Sequence, residues 1–345
     1  MTLTQESTLV TAADVSAAAA RIAPFLRATP LLPLPGERLW IKPENRQPTG
    51  SFKVRGAMNA VGVLAERGAG HVIAQSSGNH AQAVAYAAAR RGLRATVVLP
   101  DTAPELKVAG ARRLGADVVI TPPALREDTC VALAERLGAA LIRSDAFDVI
   151  AGHGGVGSDI ADEMAGPVTI LVPVCNGGLL AGVAVAAKSV NPAITVIGVE
   201  PELAADGAAS FRSGRRTAWP VQETYRTSAD GLRAPVLGAL AWEHIRRYVD
   251  DMLTVSEEGI AAAAGLLWAE LGERAEPSGA VTTAAYLAHG PSLPPGPVVA
   301  VLTGGNVGGS PLQAAGQQVG APEALQHQDQ DDQRDDGDGR SRDDQ

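Results

Sequence analysis

The chain is expected to fold as an α/β protein built from two open parallel-sheet α/β domains. Three features of the sequence predict this. Strand-like and helix-like patterns alternate along most of its length, which is the signature of parallel β-α units. Its 345 residues suffice for about two domains. Hydrophobic residues make up 46% of the chain and aromatics only 3%, which implies a large, aliphatic, closely packed core.

Residues 71–75 read as a buried strand, and 79–91 as an Ala-rich helix with one apolar face. Strand 95–99 follows, then helix 104–114 with proline at its start, strand 117–121, helix 124–137 and strand 139–143. A second series runs through strand 168–174, helix 180–190, strand 194–199, helices 257–271 and 279–288, and strand 298–302. No internal repeat of fixed period interrupts this order.

Composition narrows the function classes. The formal net charge is −9, and more than half of it comes from residues 326–345, where eight Asp and three Arg stand without any aliphatic or aromatic residue. That stretch, within an acidic tail 316–345, is expected to be disordered and solvated. No basic surface suggests nucleic acid as a partner. No apolar run suits a membrane span, and no secretion signal is read at the start of the chain. The two cysteines, Cys130 and Cys175, cannot form a disulfide framework and fit a reducing compartment. A cytoplasmic location is expected.

The stretch Pro48–Ala57 holds the most informative residue, Lys53, between a small turn (Thr49, Gly50, Ser51) and a short apolar run. Burial disfavours a charged amine, and a neutral lysine is a nucleophile suited to bonding a carbonyl carbon. The same residues also suit a lysine at a helix start that reaches to water, and these ten positions alone do not choose between the two. Three loops then stand between a strand and the next element, where open α/β sheets bind ligands. Ser76, Ser77, Gly78, Asn79 and His80 offer hydroxyls and a helix N-terminus suited to a carboxylate, although capping by Ser77 or Asn79 is the plainer use. Cys175, Asn176, Gly177, Gly178 and Leu179 follow a buried strand and could close around a phosphate, or simply form a tight turn. Thr303, with Gly304, Gly305 and Asn306, follows the last strand and puts a hydroxyl at its carboxyl end. Residues 152–157 match G-x-G-x-x-G, but residues 147–150 make a poor preceding strand and no acidic residue closes the next one, so a dinucleotide site is rejected. The six histidines show no metal spacing, and His80 and His153 read as loop or core residues.

Lys53 within TGSFKVRGA, the SSGNH loop, the glycine-containing loop 175–182 and the late TGGN, in this order, resemble the serine/threonine dehydratase family, fold-type II pyridoxal-phosphate enzymes that include serine racemases. The likeness spans about residues 20–310. It implies two α/β domains with the cofactor in the cleft between them: a large cofactor-binding domain of residues 1–70 and 141–315, and a small inserted domain of residues 71–140. It implies that Lys53 holds pyridoxal 5'-phosphate as a Schiff base, with Phe52 beside the ring and Asn79 on the phenolic oxygen. Residues 175–179 cradle the phosphate, and Thr303 partners the pyridine nitrogen. Ser76, Ser77, Gly78, Asn79 and His80 clasp the substrate carboxylate, and Ser77 is the counterpart of a second acid/base in the racemases. An uncharged partner at the ring nitrogen favours β-elimination over transamination.

The resemblance extends to a divalent-cation site made by Glu200, the carbonyl of Ala204 and Asp206, whose hard oxygens suit Mg²⁺ or Ca²⁺. A homodimer is expected by analogy. One departure is that Cys175 and Asn176 stand where the family usually has glycines. The expected function is threonine/serine ammonia-lyase activity, which converts the amino acid to a 2-oxo acid and ammonia. A serine racemase or hydroxyaspartate dehydratase is the alternative, and a non-catalytic binder of the same fold is more remote.

Overall fold

The computed structural model describes residues 9–76 and 78–307. Ser77 and the acidic tail lie outside the described residues. In chain order the helices are α1 (Ala12–Ile22), α2 (Lys53–Glu66), α3 (Asn79–Arg91), α4 (Glu105–Arg113), α5 (Arg126–Leu137), α6 (Phe147–Glu163), α7 (Gly178–Val190), α8 (Asp206–Ser213), α9 (Val221–Thr224), α10 (Ala239–Tyr248), α11 (Glu257–Leu271) and α12 (Pro277–His289). The strands are β1 (Leu32–Pro33), β2 (Leu39–Pro43), β3 (His71–Gln75), β4 (Arg94–Pro100), β5 (Asp117–Thr121), β6 (Ala140–Leu141), β7 (Thr169–Pro173), β8 (Thr195–Pro201), β9 (Asp251–Val255) and β10 (Val298–Leu302).

Two sheets form, and their orders explain where a ligand can enter. The larger runs β1-β2-β10-β7-β8-β9, with only β1 antiparallel. The chain marches from β7 to β9 and then returns, placing β10 on the far side of β7. The smaller runs β5-β4-β3-β6, all parallel, and the chain again reverses direction beside β3. Such switch points leave a crevice at the strands' carboxyl ends. The residues that follow β3, β7 and β10 are the three loops singled out in the sequence.

Residues 147–150, a poor strand by sequence, open the helix α6. The glycines of the G-x-G-x-x-G match lie inside that helix and serve close helix packing, not a phosphate turn. A Cβ on Gly157 would sit 2.5 Å from the Val183 carbonyl oxygen of α7, and one on Gly182 would strike the Ile150 carbonyl oxygen and lie 2.7 Å from the Gly154 nitrogen. Backbone-to-backbone contact explains why these positions carry no side chain. We expect Gly182→Ala to lose about 1–3 kcal/mol of stability by overpacking, read from denaturant unfolding; an unchanged midpoint would refute the tight crossing.

Packing and pairing cross the positions 70 and 140. Helix α2 buries Val54, Ala57, Met58 and Val61 in one core cluster with Val72, Ala83, Val97 and Leu99 of the smaller sheet's layer. Strand β6 reaches Leu141, which pairs with Ile73. The helix that begins with Lys53 packs between α3, which covers the small sheet, and α6, while the loop before it is tied to the end of β10.

Candidate active site

Lys53 is the first residue of α2, and the segment before it is tied to the end of β10. Ser51 forms an antiparallel bridge with Gly304, the Phe52 N–H donates to the Thr303 carbonyl at 3.0 Å, and the Gly305 N–H donates to Gly50 at 3.0 Å. This clamp brings Lys53 and Thr303 to one cleft of about 530 Å³, lined by both sheets' layers, with Ser76, Asn79, Cys175 and Leu179 also in its wall. The Lys53 amine lies 4.7 Å from the centroid of the Phe52 ring, and that ring meets His153 of α6 at 4.7 Å between centroids with the planes tilted by 55°. Burial lowers the Lys53 pKa, and Cys175 and Asp145 offset part of that effect. Its place at a helix N-terminus works in the same direction as burial, because the dipole's positive end repels an ammonium. A buried amine whose pKa is lowered loses its proton more readily, which is what nucleophilic chemistry on a carbonyl requires.

The second loop follows β7. Gly177 adopts φ 87 and packs so closely on α10 that a Cβ would lie 2.8 Å from Ile245. Cys175 has φ 56, the only positive φ at a non-glycine among the described residues. Its thiol is half-buried; burial raises its pKa while Lys53 pulls it down. Asn176 donates to the Ser144 hydroxyl at 2.7 Å and accepts weakly from the Gly178 N–H at 3.4 Å. Helix α7 then starts without a side-chain cap on its N-cap residue. Its first-turn N–H groups and dipole make an anion site of the kind a phosphate needs.

At the third loop, Thr303 is buried and its hydroxyl donates to the Ser278 carbonyl at 3.2 Å. The single hydroxyl proton serves that carbonyl or a cleft acceptor, not both. In the first loop, the Ser76 hydroxyl accepts from the Gly78 N–H at 2.8 Å. Asn79 donates through Nδ2 to Glu276 and accepts at Oδ1 from Asn306 at 3.0 Å. His80 is buried, and burial together with Lys53 pushes its pKa down to about 3, so it stays neutral at physiological pH.

The two carboxylates of the cation motif come together away from these loops. Glu200, near the end of β8, accepts from the N–H groups of Gly207 at 3.2 Å and Ala208 at 2.7 Å. Asp206 opens α8, and both its carboxylate oxygens are buried without a hydrogen-bond partner among the described residues. Burial pushes Asp206 up to about 7, and burial and then Asp206 push Glu200 well above the carboxylate range. No group of three or more His, Cys, Asp or Glu suited to a metal occurs among the described residues, so any ion here relies on these two carboxylates and backbone oxygen.

Sequence reasoning missed a buried ion cluster at the cleft's edge. Lys107 of α4 bridges Asp230 at 2.6 Å and Glu276 at 3.1 Å. None of the three stands out locally: Lys107 reads as a solvated helix residue, and only the three-dimensional fold gives it partners.

The sequence model described as "Pyridoxal-phosphate dependent enzyme" matches residues 20–304. Serine racemase of Oryza sativa subsp. indica is 38% identical over 289 residues, covering 80% of this chain and 84% of its own. L-threonine ammonia-lyase of Thermotoga maritima is 39% identical, covering 79% and 68%. L-threo-3-hydroxyaspartate ammonia-lyase of Saccharomyces cerevisiae is 39% identical, covering 85% and 92%. Among solved structures, that of maize serine racemase superposes with a TM-score of 0.83 at 34% identity, covering 90% of this chain and 97% of the other. That of a T.th. threonine deaminase superposes with a TM-score of 0.81 at 42% identity, covering 87% and 99%. No helix among the described residues is long and apolar enough to cross a membrane.

Proposed function

Because the chain belongs to the pyridoxal-phosphate dependent enzymes, we propose that it is an ammonia-lyase that deaminates L-threonine, L-serine or both. The observation that carries this reading is Lys53, a buried amine of lowered pKa at the junction of three loops that meet in one cleft. The residues present fit the cofactor: Lys53 for its aldehyde carbon, the N–H groups at the start of α7 for its phosphate, and Thr303 for its ring nitrogen. Bound there, the cofactor supplies an electron sink for the bond broken at the substrate's α-carbon.

The chain's own residues do the rest. The loop before α3, from Ser76 to Asn79, holds the substrate carboxylate at a helix N-terminus. Lys53 Nζ, when free and unprotonated, would accept the substrate's α-proton as a base. Thr303, uncharged, does not hold a proton on the ring nitrogen as a carboxylate would. That favours prompt loss of the β-hydroxyl. The released enamine hydrolyses to a 2-oxo acid and ammonia.

A second reading, inversion at the α-carbon or deamination of a hydroxylated acidic amino acid, draws support from Ser77 in the sequence and from the relatives' names. A panel of L-serine, D-serine, L-threonine and L-threo-3-hydroxyaspartate separates the readings. We expect 2-oxo acid from L-threonine or L-serine. Inversion without 2-oxo acid, or turnover of hydroxyaspartate alone, overturns the proposal.

We also propose that Glu200, the Ala204 carbonyl and Asp206 hold a divalent cation. The two orphaned oxygens of Asp206 support it, since buried polar atoms seldom lack a partner. Mg²⁺ or Ca²⁺ at a hundred times its Kd is expected to stabilise the protein by about 2.7 kcal/mol. The rise in Tm vanishes in Asp206→Ala; an equal rise in that variant contradicts the assignment.

A further inference from the structure

We propose that Lys107 is a positioning residue: acting through Glu276, it fixes the orientation of the Asn79 carboxamide so that an N–H, not the carbonyl, faces the cofactor. This rests on the reading of the cleft as a pyridoxal-phosphate site, and the test below keeps the two separable.

Lys107 sits on α4, in the smaller sheet's layer, and is only 3% exposed. A buried lysine persists where it is paired, and both of its partners stand on the other side of the cleft. Asp230 lies in a short turn at 2.6 Å, and Glu276, itself buried, immediately precedes α12 at 3.1 Å. Burial alone disfavours the ammonium, but Glu276 and Asp230 outweigh it and hold the Lys107 pKa above its usual value. The stem of Lys107 also packs on Gly78, where a Cβ would collide with it. The lysine therefore touches the loop that leads into Asn79 and clasps the two layers over the cleft.

Glu276 carries the effect onward. One carboxylate oxygen faces Lys107, and the other accepts from Asn79 Nδ2. Asn306 Nδ2 donates to Asn79 Oδ1 from the opposite end at 3.0 Å. A flipped amide would set a carbonyl against a carboxylate and one NH₂ against another, so the present orientation is the only satisfied one. One N–H of Nδ2 is left over for the cleft. Burial raises the Glu276 pKa, and Lys107 is the strongest influence opposing it; the arrangement holds while Glu276 is ionised and purely an acceptor. Without the ammonium, Glu276 is a buried carboxylate next to Asp230, and both burial and like charge favour its protonation. A protonated Glu276 can donate, and Asn79 is then free to turn its carbonyl toward the cofactor's phenolic oxygen.

The experiment is a spectrophotometric pH titration of the holoenzyme's visible band, which reads the cofactor's proton without substrate or turnover. Loss of a donor to an anionic oxygen raises that oxygen's basicity. In Lys107→Met the midpoint is expected to move up by about one pH unit. Lys107→Arg, which keeps the cation, returns it to the wild-type value. Asn79→Ala shifts it in the same direction, and Lys107→Met combined with Asn79→Ala gives no more than Asn79→Ala alone, because the two act in series. If Lys107→Met does not fold, Lys107→Met/Asp230→Asn keeps the clasp's charge balance and is expected to give a smaller shift in the same direction, because burial of Glu276 persists without the Asp230 charge. A wild-type midpoint in the Lys107 variant, or full additivity with Asn79→Ala, overturns the proposal. A wild-type protein that shows no visible band with the cofactor overturns the site reading itself, and this inference with it.

Discussion

Lys53→Ala is expected to lower turnover by about 10⁴-fold or more, because one side chain provides both the anchor for the cofactor and the base for the α-proton. The effect is on kcat; the fold persists, since the amine sits in the cleft wall and makes no buried ion pair among the described residues. Lys53→Arg does not rescue it. A guanidinium has the charge but cannot lose its proton in a protein, and it offers no nucleophilic pair. The check is a single-turnover assay for 2-oxo acid with each variant saturated in cofactor. Turnover within tenfold of wild type in either variant contradicts the assigned role.

Arg55→Ala is expected to destabilise the fold by about 3–5 kcal/mol, the usual penalty for stranding one partner of a buried pair. Arg55 follows Lys53 by one turn-half and is 5% exposed. It grips the fully buried Glu44 through two nitrogens, at 2.8 and 2.7 Å, and reaches Asp159 of α6 at 2.6 Å. Lys42 joins the same group through Asp159 at 3.1 Å. Burial alone pushes Glu44 up, but Arg55 outweighs it and holds the carboxyl below its usual range. The sign of the pH dependence follows. In the wild type, Glu44 adds stability above its unfolded pKa and loses it as pH falls through the lowered folded one. In the variant, Glu44 is stranded and its folded pKa rises. The deficit is then greatest at neutral pH and shrinks on acidification toward about pH 4. Denaturant unfolding at pH 7 and pH 5 measures both parts. A loss under about 1 kcal/mol, or a deficit that grows with acid, contradicts the role given to this network.

The sequence made regular, locally consistent elements legible. Strands β3, β5 and β10 and helices α3 and α11 fall where the apolar periods end, because nothing in their packing opposes local preference. Strand β2 was not seen. Lys42 interrupts its apolar run, and only its carboxylate partners on α6 and the Thr29 carbonyl make that lysine tolerable in a central strand. Helix α6 was hidden by its glycines, whose purpose is contact with α7 and α2 and cannot be read from one strand of text. The loops after β3, β7 and β10 were legible as loops at the carboxyl ends of strands, and Lys53, Ser76, Asn79, Cys175 and Thr303 line one cleft. The links between them were not legible. Asn79 to Glu276 to Lys107 joins three distant stretches, and local sequence gives no hint of it.

The central claim is that Lys53 carries the cofactor. Reduction of the holoenzyme with borohydride, followed by proteolysis and mass spectrometry, reads this directly. The account predicts discharge of the visible band and one phosphopyridoxyl adduct, on the peptide containing Lys53. An adduct on Lys42, Lys107 or Lys188, or a cofactor that washes away after reduction, would contradict it.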